Sequence, residues 1–528
     1  MRQKLPVSDW TACAVAFFAT ILSIVAYVIT ARHGGVVLYK DAMSHLEIAR
    51  RVDVTFGSSP VNALPQLGSV WLPLPHLLML PFVWSNALYT SGLGGAINCM
   101  VAYVIATVLI YKITYRLADN KVAGVVAAAV FGFNINELYM QATPMTEALL
   151  FCNILATVYC IQRWAETDRY KYLVGAGVAG FLAALSRYES WLILFALLGV
   201  VAVIAWQQRP DFSLLLRRNR TIDRTLLYGL FALVGGIGSW MLWGAVYFGN
   251  PFDFEFGTYA KQALVATHTE LSYHNWSVSI KTYWYAMLDN VSWPVVVTAS
   301  LGLIAFLVFG LRSKQARLRA LPVLSLVVIV PLFFFVCLYV GQRPLHVMQI
   351  WGGTSDYNVR YGLFMEMPAA ILIGYLVSCL RFKWATYVTA VLAVAGSIVL
   401  CVVLLVHGKI ATYNEALAGR ESVAIADQRS VEGYLAQHYK GGRAMMESYG
   451  NEDIAFDSVP TAKMVYEGSY GQWQPALHNP VANQIEWIIT RRGTTPDMVA
   501  RTVPSSQLAH YVLVFQSPDN VYSVYLRR

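Results

Sequence analysis

Residues 173–206 read LVGAGVAGFLAALSRYESWLILFALLGVVAVIAW, an apolar run broken once, at Ser186-Arg187-Tyr188-Glu189. As one helix it would be about 50 Å long at 1.5 Å per residue, well beyond a hydrocarbon core of roughly 30 Å. Two short helices with a polar turn between them fit a bilayer. With that hairpin, apolar spans fall at 10–30, 93–111, 122–140, 146–163, 173–186, 190–206, 226–248, 291–311, 321–340, 362–380 and 385–407, about eleven in all. The basic residues then gather on one side: Arg2/Lys4, Lys112/Arg116/Lys121, Arg163/Arg169/Lys171, Arg209/Arg217/Arg218/Arg220/Arg224, Arg312/Lys314/Arg317/Arg319 and Arg381/Lys383. The positive-inside bias makes that side cytoplasmic. A single span at 173–206 would throw the arginine cluster at 209–224 to the other side.

Composition agrees. Of 528 residues 57% are hydrophobic and 13% charged, against roughly a quarter charged in soluble chains. The net charge of +9 comes from short basic clusters between apolar runs, which is how membrane proteins distribute it, so nucleic-acid binding is excluded. The seven cysteines lie in or beside apolar stretches, none after residue 401, and show no metal-binding spacing. The first apolar run is long and lacks a small-residue cleavage site, so it reads as a retained helix rather than a signal peptide.

The fold expected is therefore an α-helical polytopic membrane protein with a small α/β domain outside. Residues 1–407 form the membrane domain, with a long first outer loop at 31–92, and residues 408–528 form the outer domain. There, 511–515 and 521–525 alternate as strands and 420–440 reads as a helix. The N-terminus lies in the cytoplasm of a bacterial inner membrane and the C-terminal domain outside. The loops 31–92, 249–290 and 341–361 and the turn at 186–190 share the outer face.

Chemistry-bearing residues concentrate on that face. The first loop opens Tyr39-Lys40-Asp41-Ala42-Met43-Ser44-His45-Leu46-Glu47-Ile48-Ala49-Arg50-Arg51. In a helix, Asp41, Ser44, His45 and Ile48 lie near one another, and Met43, Leu46, Ile48 and Ala49 would let it lie along the membrane surface. A carboxylate at Asp41 is placed to take a proton from an acceptor hydroxyl; the plainer reading is a solvated juxtamembrane acid. Lys40 and His45 are candidate substrate contacts beside it. The proline-broken stretch 68–82 is too short to span and suits either an isoprenoid chain at the interface or packing on helix ends.

Arg187, Tyr188 and Glu189 sit at the hairpin tip, where an ionisable group needs a partner. The arginine fork suits phosphate, or else an Arg187–Glu189 pair anchors the turn. Arg343 and Arg360, the latter in Asn358-Val359-Arg360-Tyr361, are again outer-face cations, which a positive-inside protein has little reason to keep unless an anion binds. Glu147 opens the fourth span and Glu137 ends the third; they are candidates for sugar hydroxyls or a divalent metal, although helix capping accounts for Glu147 more simply. Tyr259, Lys261, His274, Trp276, Trp284 and Tyr285 offer faces for sugar stacking or an interfacial belt. No resident cofactor or metal is indicated.

An aspartate early in a long first outer loop, an Arg-Tyr pair at a short hairpin tip and Asn-Val-Arg-Tyr before a late span together resemble the GT-C superfamily. These are multi-span glycosyltransferases using lipid-phosphate sugars, and the resemblance covers about 1–407. The nearest branch is similar to bacterial relatives of protein O-mannosyltransferases, lipid A aminoarabinose transferase and arabinofuranosyltransferases. The resemblance implies a base at Asp41 and donor-phosphate contacts by arginines such as Arg187 and Arg360; Arg343 is a further candidate for the phosphate, and Lys40, His45, Tyr188, Glu189, Glu147 and Tyr361 are candidate substrate contacts. It implies a polyprenyl-phosphate-linked sugar as donor and a glycan, lipid or protein hydroxyl as acceptor. One departure stands out: protein O-mannosyltransferases show an adjacent Asp-Glu pair, whereas Ala42 follows Asp41. Rival readings are an oligosaccharide ligase with a diphosphate-linked donor, and a lipid or polysaccharide transporter or flippase. The absence of an internal repeat and the one-sided polar residues speak against transport.

Overall fold

The computed structural model describes residues 9–257, 270–352, 356–420, 423–493 and 496–528. The basic Arg2 and Lys4, and Tyr259 and Lys261 of the aromatic set, lie outside the described residues. The chain divides into two compact units, one of Met1–His33, Asn98–Ala142 and Thr146–Glu415, the other of Gly34–Ile97, Thr143–Met145 and Ala416–Arg528. The expected boundary at 407/408 does not coincide with this division. The long first loop groups with the C-terminal segment instead.

The first unit is helical. Among the described residues nine helices are long and apolar enough to cross a membrane: Trp10–Arg32, Leu93–Ala118, Glu147–Thr167, Glu189–Gln208, Leu214–Phe248, Trp293–Gly310, Lys314–Tyr339, Val359–Ser378 and Lys383–Arg420. The span expected at 173–186 is the shorter helix Tyr170–Ala184, and the one at 122–140 is a bent pair, Lys121–Gly132 and Ile135–Gln141, turned by 68°. All eleven apolar segments are thus helical, but two of them correct the simple count. The bend has a local cause. Asn134 leaves the helical region (φ −67°, ψ 116°) and its side chain accepts from the Glu137 amide at 3.0 Å, a restart that suits asparagine as a helix N-cap.

The late turn Val359–Met365 is held by close backbone approach. Asn290 Nδ2 donates to Val359 O at 2.7 Å, and a Cβ added at Gly362 would land on the Ala286 carbonyl. Because that obstacle is backbone, Gly362→Ala is expected to destabilise the protein by about 3 kcal/mol, the upper end of overpacking costs. Thermal unfolding in detergent checks this; an unchanged melting temperature would show that the turn yields.

The second unit joins the first-loop helix Lys40–Ser58 to a mixed α/β domain. Strands β1 (Arg443–Met445), β2 (Met464–Val465), β3 (Ile485–Arg491), β4 (Tyr511–Gln516) and β5 (Tyr522–Arg527) lie in the order β2-β1-β3-β5-β4. The pairings around β1 are parallel and those of β5 antiparallel. The strands expected at 511–515 and 521–525 are β4 and β5, and the expected helix is Val423–His438, with 421–422 outside the described residues. Separate apolar clusters cover the sheet, one around Trp487, Ile489 and Val524, the other around Ile488, Ile485 and Leu477.

The face of Lys40–Ser58 that was expected to lie on the membrane is covered by protein: Met43, Leu46 and Ala49 pack with Met79, Val83, Tyr89 and Phe456. Arg51, on the same helix, is buried and donates to Thr461 O at 2.6 Å and to Ser469 and Met464 O. Its charge-assisted bonds fasten the helix to the α/β domain.

Candidate active site

The turn between Tyr170–Ala184 and Glu189–Gln208 is pinned by its own neighbours. Ser190 Oγ donates to Ala183 O at 2.9 Å and Arg187 O at 2.8 Å, and Trp191 Nε1 to Ala184 O at 3.0 Å. That fixes Arg187 at the tip. Its guanidinium grips Glu189 through two bonds, Nη2–Oε1 at 2.9 Å and Nε–Oε2 at 3.2 Å. Nη1 also reaches Glu147 Oε1 and Thr146 Oγ1, both at 2.8 Å. Burial alone would lower the Arg187 pKa, but Glu147 and Glu189 raise it above the ordinary value. The guanidinium is a permanent cation there.

Glu147 serves two purposes. Oε2 accepts from the Thr146 amide at 3.0 Å, the helix-start role, while Oε1 also lies 3.1 Å from Arg360 Nε. Arg360 pairs in turn with Glu415 Oε1 at 3.3 Å, and the Asn358 amide donates to that same oxygen at 2.8 Å. Glu415 had not been singled out from the sequence, because it falls beyond the last span, in the stretch read as a separate domain. Arg187 and Arg360 both lie 5.8 Å from the Tyr361 ring centroid.

Arg343 completes the group. It sits 3.7 Å from Glu189 Oε1 and 5.6 Å from the Tyr188 ring, and among the described residues its guanidinium makes no hydrogen bond. Burial lowers its pKa, and Glu189, Tyr361 and Cys337 together outweigh this, leaving it raised. Its backbone is left-handed, φ +58°, a conformation costing a non-glycine residue about 1–2 kcal/mol. Strain of that kind persists where the surroundings enforce it and concentrates at functional sites. Seven residues expected from the sequence (Arg187, Tyr188, Glu189, Glu147, Arg343, Arg360 and Tyr361) thus form one connected network in the first unit. Three guanidiniums meet within it; those of Arg187 and Arg360 are held by carboxylates, and Arg343, the least committed, keeps donors for an anion.

Asp41, Lys40 and His45 lie in the second unit. Asp41 is half-buried in the first turn of Lys40–Ser58, in electrostatic reach of Tyr449 and Glu452. Lys40 Nζ is 3.8 Å from Glu452 Oε2. His45 is buried, with Nδ1 2.9 Å from His76 Nε2 and its ring 4.7 Å from Trp71.

Glu47, the next acid after Asp41, is buried rather than beside it. Burial, then repulsion from Glu467, push its carboxyl up to about 8 despite Arg51 nearby, and burial pushes Glu467 to about 7. A folded-state value above the ordinary 4.5 means the folded chain holds protons that the unfolded chain has released. Stability therefore falls as pH rises from about 4.5, to about 8 for Glu47 and to about 7 for Glu467, by up to ~1.4 kcal/mol per pH unit for each group within its window. Glu47→Gln is expected to flatten this slope and raise the melting temperature near pH 8. A pH series of melting curves matching the unchanged protein would count against it.

Other candidates are placed more plainly. Glu137 is fully buried, and among the described residues no group of three His, Cys, Asp or Glu is arranged to hold a metal ion. His274 and Trp276 both stack on Tyr339, at 5.3 and 4.2 Å, so their rings pack the loop. Trp284 remains 43% exposed.

Residues 86–216 match the family described as dolichyl-phosphate-mannose-protein mannosyltransferase. That stretch contains Glu147, Arg187, Tyr188 and Glu189, and the match bears out the resemblance to the GT-C superfamily. No curated protein shows significant sequence similarity to the chain. Among solved structures, ArnT from Cupriavidus metallidurans bound to undecaprenyl phosphate is similar at 12% identity and a TM-score of 0.48, over 95% of this chain and 97% of that one. The Archaeoglobus fulgidus oligosaccharyltransferase in the apo form is similar at 11% identity and a TM-score of 0.46, over 92% and 70% of the two chains. Its complex with Zn and sulfate gives 12% identity and 0.46, over 97% and 73%.

Proposed function

We propose that this GT-C-type membrane glycosyltransferase moves one sugar from a polyprenyl-phosphate donor to a hydroxyl acceptor on the non-cytoplasmic face of the membrane. The acceptor is a component of the cell envelope, and the membrane is the bacterial inner membrane, with the N-terminus inside. The description of the matched family names a lipid-monophosphate sugar, which supports a monophosphate donor over a diphosphate-linked oligosaccharide. Ala42 in place of an acid after Asp41 speaks against a protein acceptor.

The observation that carries the reading is the convergence of Arg187, Arg343 and Arg360, with Arg343 held in a strained backbone and without a hydrogen-bonded partner among the described residues. In the proposed reaction these guanidiniums bind the donor phosphate. As the bond from the anomeric carbon to the phosphate oxygen breaks, charge grows on the departing polyprenyl phosphate, and preformed donors stabilise it at no reorganisation cost. Asp41 accepts the proton of the acceptor hydroxyl whose oxygen forms the new glycosidic bond. Tyr361, Tyr188, Glu189 and Glu147 set the arginines. Lys40 and His45 flank the base.

Mass spectrometry of lipids retained through purification tests the donor directly. A polyprenyl-phosphate monosaccharide should be recovered with the protein and lost from an Arg343→Gln variant. Recovery of lipid diphosphate-linked oligosaccharide instead would replace this reading with the ligase.

A further inference from the structure

The helix Glu147–Thr167 carries a second charged cluster at its other end. Glu166 lies 19 residues after Glu147, about 29 Å along the axis at 1.5 Å per residue, close to the thickness of a hydrocarbon core. Its carboxylate, 8% exposed, takes Arg116 at 2.8 Å, Arg163 at 2.5 Å and Arg319 at 3.2 Å. Arg319 also donates to Arg116 O at 3.0 Å, knitting the ends of separate spans.

Further cations join through two tyrosines. Lys112 and Arg116 face the Tyr159 ring at 6.0 and 5.7 Å, and Arg163 and Lys171 face the Tyr172 ring at 5.0 and 5.2 Å. Three guanidiniums therefore meet one carboxylate, and two lysines adjoin them across the tyrosine rings. Among the described residues Lys112 and Lys171 meet no carboxylate within ion-pair distance, and Arg116 Nε is buried without a hydrogen bond.

The positive-inside bias explains why basic residues occur on this side. It does not explain why three guanidiniums converge on a single part-buried acid. Such a surplus is self-repelling, and desolvated charge is costly unless compensated. The unused donors open to a headgroup are the Lys112 and Lys171 ammoniums, which hold phosphate as point charges. Basic pockets between spans on the cytoplasmic side meet a leaflet rich in anionic headgroups.

We propose that the cluster of Arg116, Arg163, Arg319, Lys112 and Lys171 around Glu166 binds the phosphate of an anionic membrane lipid. The site lies at the opposite end of the helix from the candidate active site and stands whether or not that reading holds.

Native mass spectrometry of the full chain, exposed to equimolar phosphatidylglycerol and phosphatidylcholine, tests it. The unchanged protein should retain phosphatidylglycerol in preference. A Lys112→Gln/Lys171→Gln variant should retain it about thirtyfold more weakly, two lysines at roughly 1 kcal/mol each. Lys112→Arg/Lys171→Arg should restore retention, which separates loss of charge from loss of fold. Equal retention of the two lipids, or no change in the glutamine variant, overturns the proposal. So does a thermal shift produced by inorganic phosphate with no preference between lipids, which would mark the cluster as a site for free phosphate.

Discussion

Asp41→Ala is expected to cut sugar transfer by about 10²–10⁴-fold, the range for removing a positioned general base, while a polyprenyl-phosphate donor stays bound. The expectation rests on where the residue sits. Asp41 occupies the first turn of Lys40–Ser58, the helix end at which an anion is favoured, and it is half-buried rather than fully solvated. The helix behind it is rigidly supported: its apolar face is packed by Met79, Val83 and Phe456, and Arg51 ties it to the α/β domain. A base on such a support keeps its orientation through the reaction. Asp41→Asn preserves shape and should lose as much, whereas Asp41→Glu should retain part of the rate. Transfer of labelled sugar measured alongside donor retention separates the roles. Full turnover by the alanine variant removes Asp41 from the chemistry, and loss of donor binding would make it a donor contact instead.

The helices were legible because a span is a long apolar run, and a run of that kind survives any detail of packing. The hairpin at 173–206 was legible for a harder reason, since its length exceeds a bilayer and its only polar break falls mid-run. The bend at Asn134 was not, because an asparagine inside an apolar segment reads equally as a tolerated polar residue until the backbone is seen to restart there. The arginines stood out because a positive-inside chain is expected to keep few cations on its other face, and the structure joins them in one network, but their carboxylate partners were only half legible. Glu189 lies two residues from Arg187, and local spacing reveals it. Glu415 lies 55 residues from Arg360, and only the fold reveals that pair. Likewise the apolar stripe of Lys40–Ser58 correctly signalled a buried face, yet periodicity does not say whether lipid or protein does the burying.

The arginines do not respond alike to substitution, and the difference isolates phosphate binding from stability. Arg187→Gln leaves Glu147 and Glu189 buried with diminished compensation, since their side chains are 0% and 2% exposed. Breaking a buried pair in this way costs about 3–5 kcal/mol, so that variant melts early and its lost activity is ambiguous. Arg343 is the informative position. Its link to Glu189 is long, at 3.7 Å, and its backbone is left-handed, a conformation that asparagine accepts more readily than arginine. In Arg343→Asn the relieved strain, about 1–2 kcal/mol, opposes the lost ion pair, and Arg187 still grips Glu189 through two bonds, so the melting temperature should fall far less than in Arg187→Gln. Transfer should nevertheless fall by about 10²–10³-fold, the scale of removing one preorganised donor from a developing oxyanion. Arg343→Lys should recover only part of it, because an ammonium supplies charge without the fork. A stable Arg343→Asn protein that transfers sugar at the full rate would show that the strained arginine serves the turn and not the phosphate.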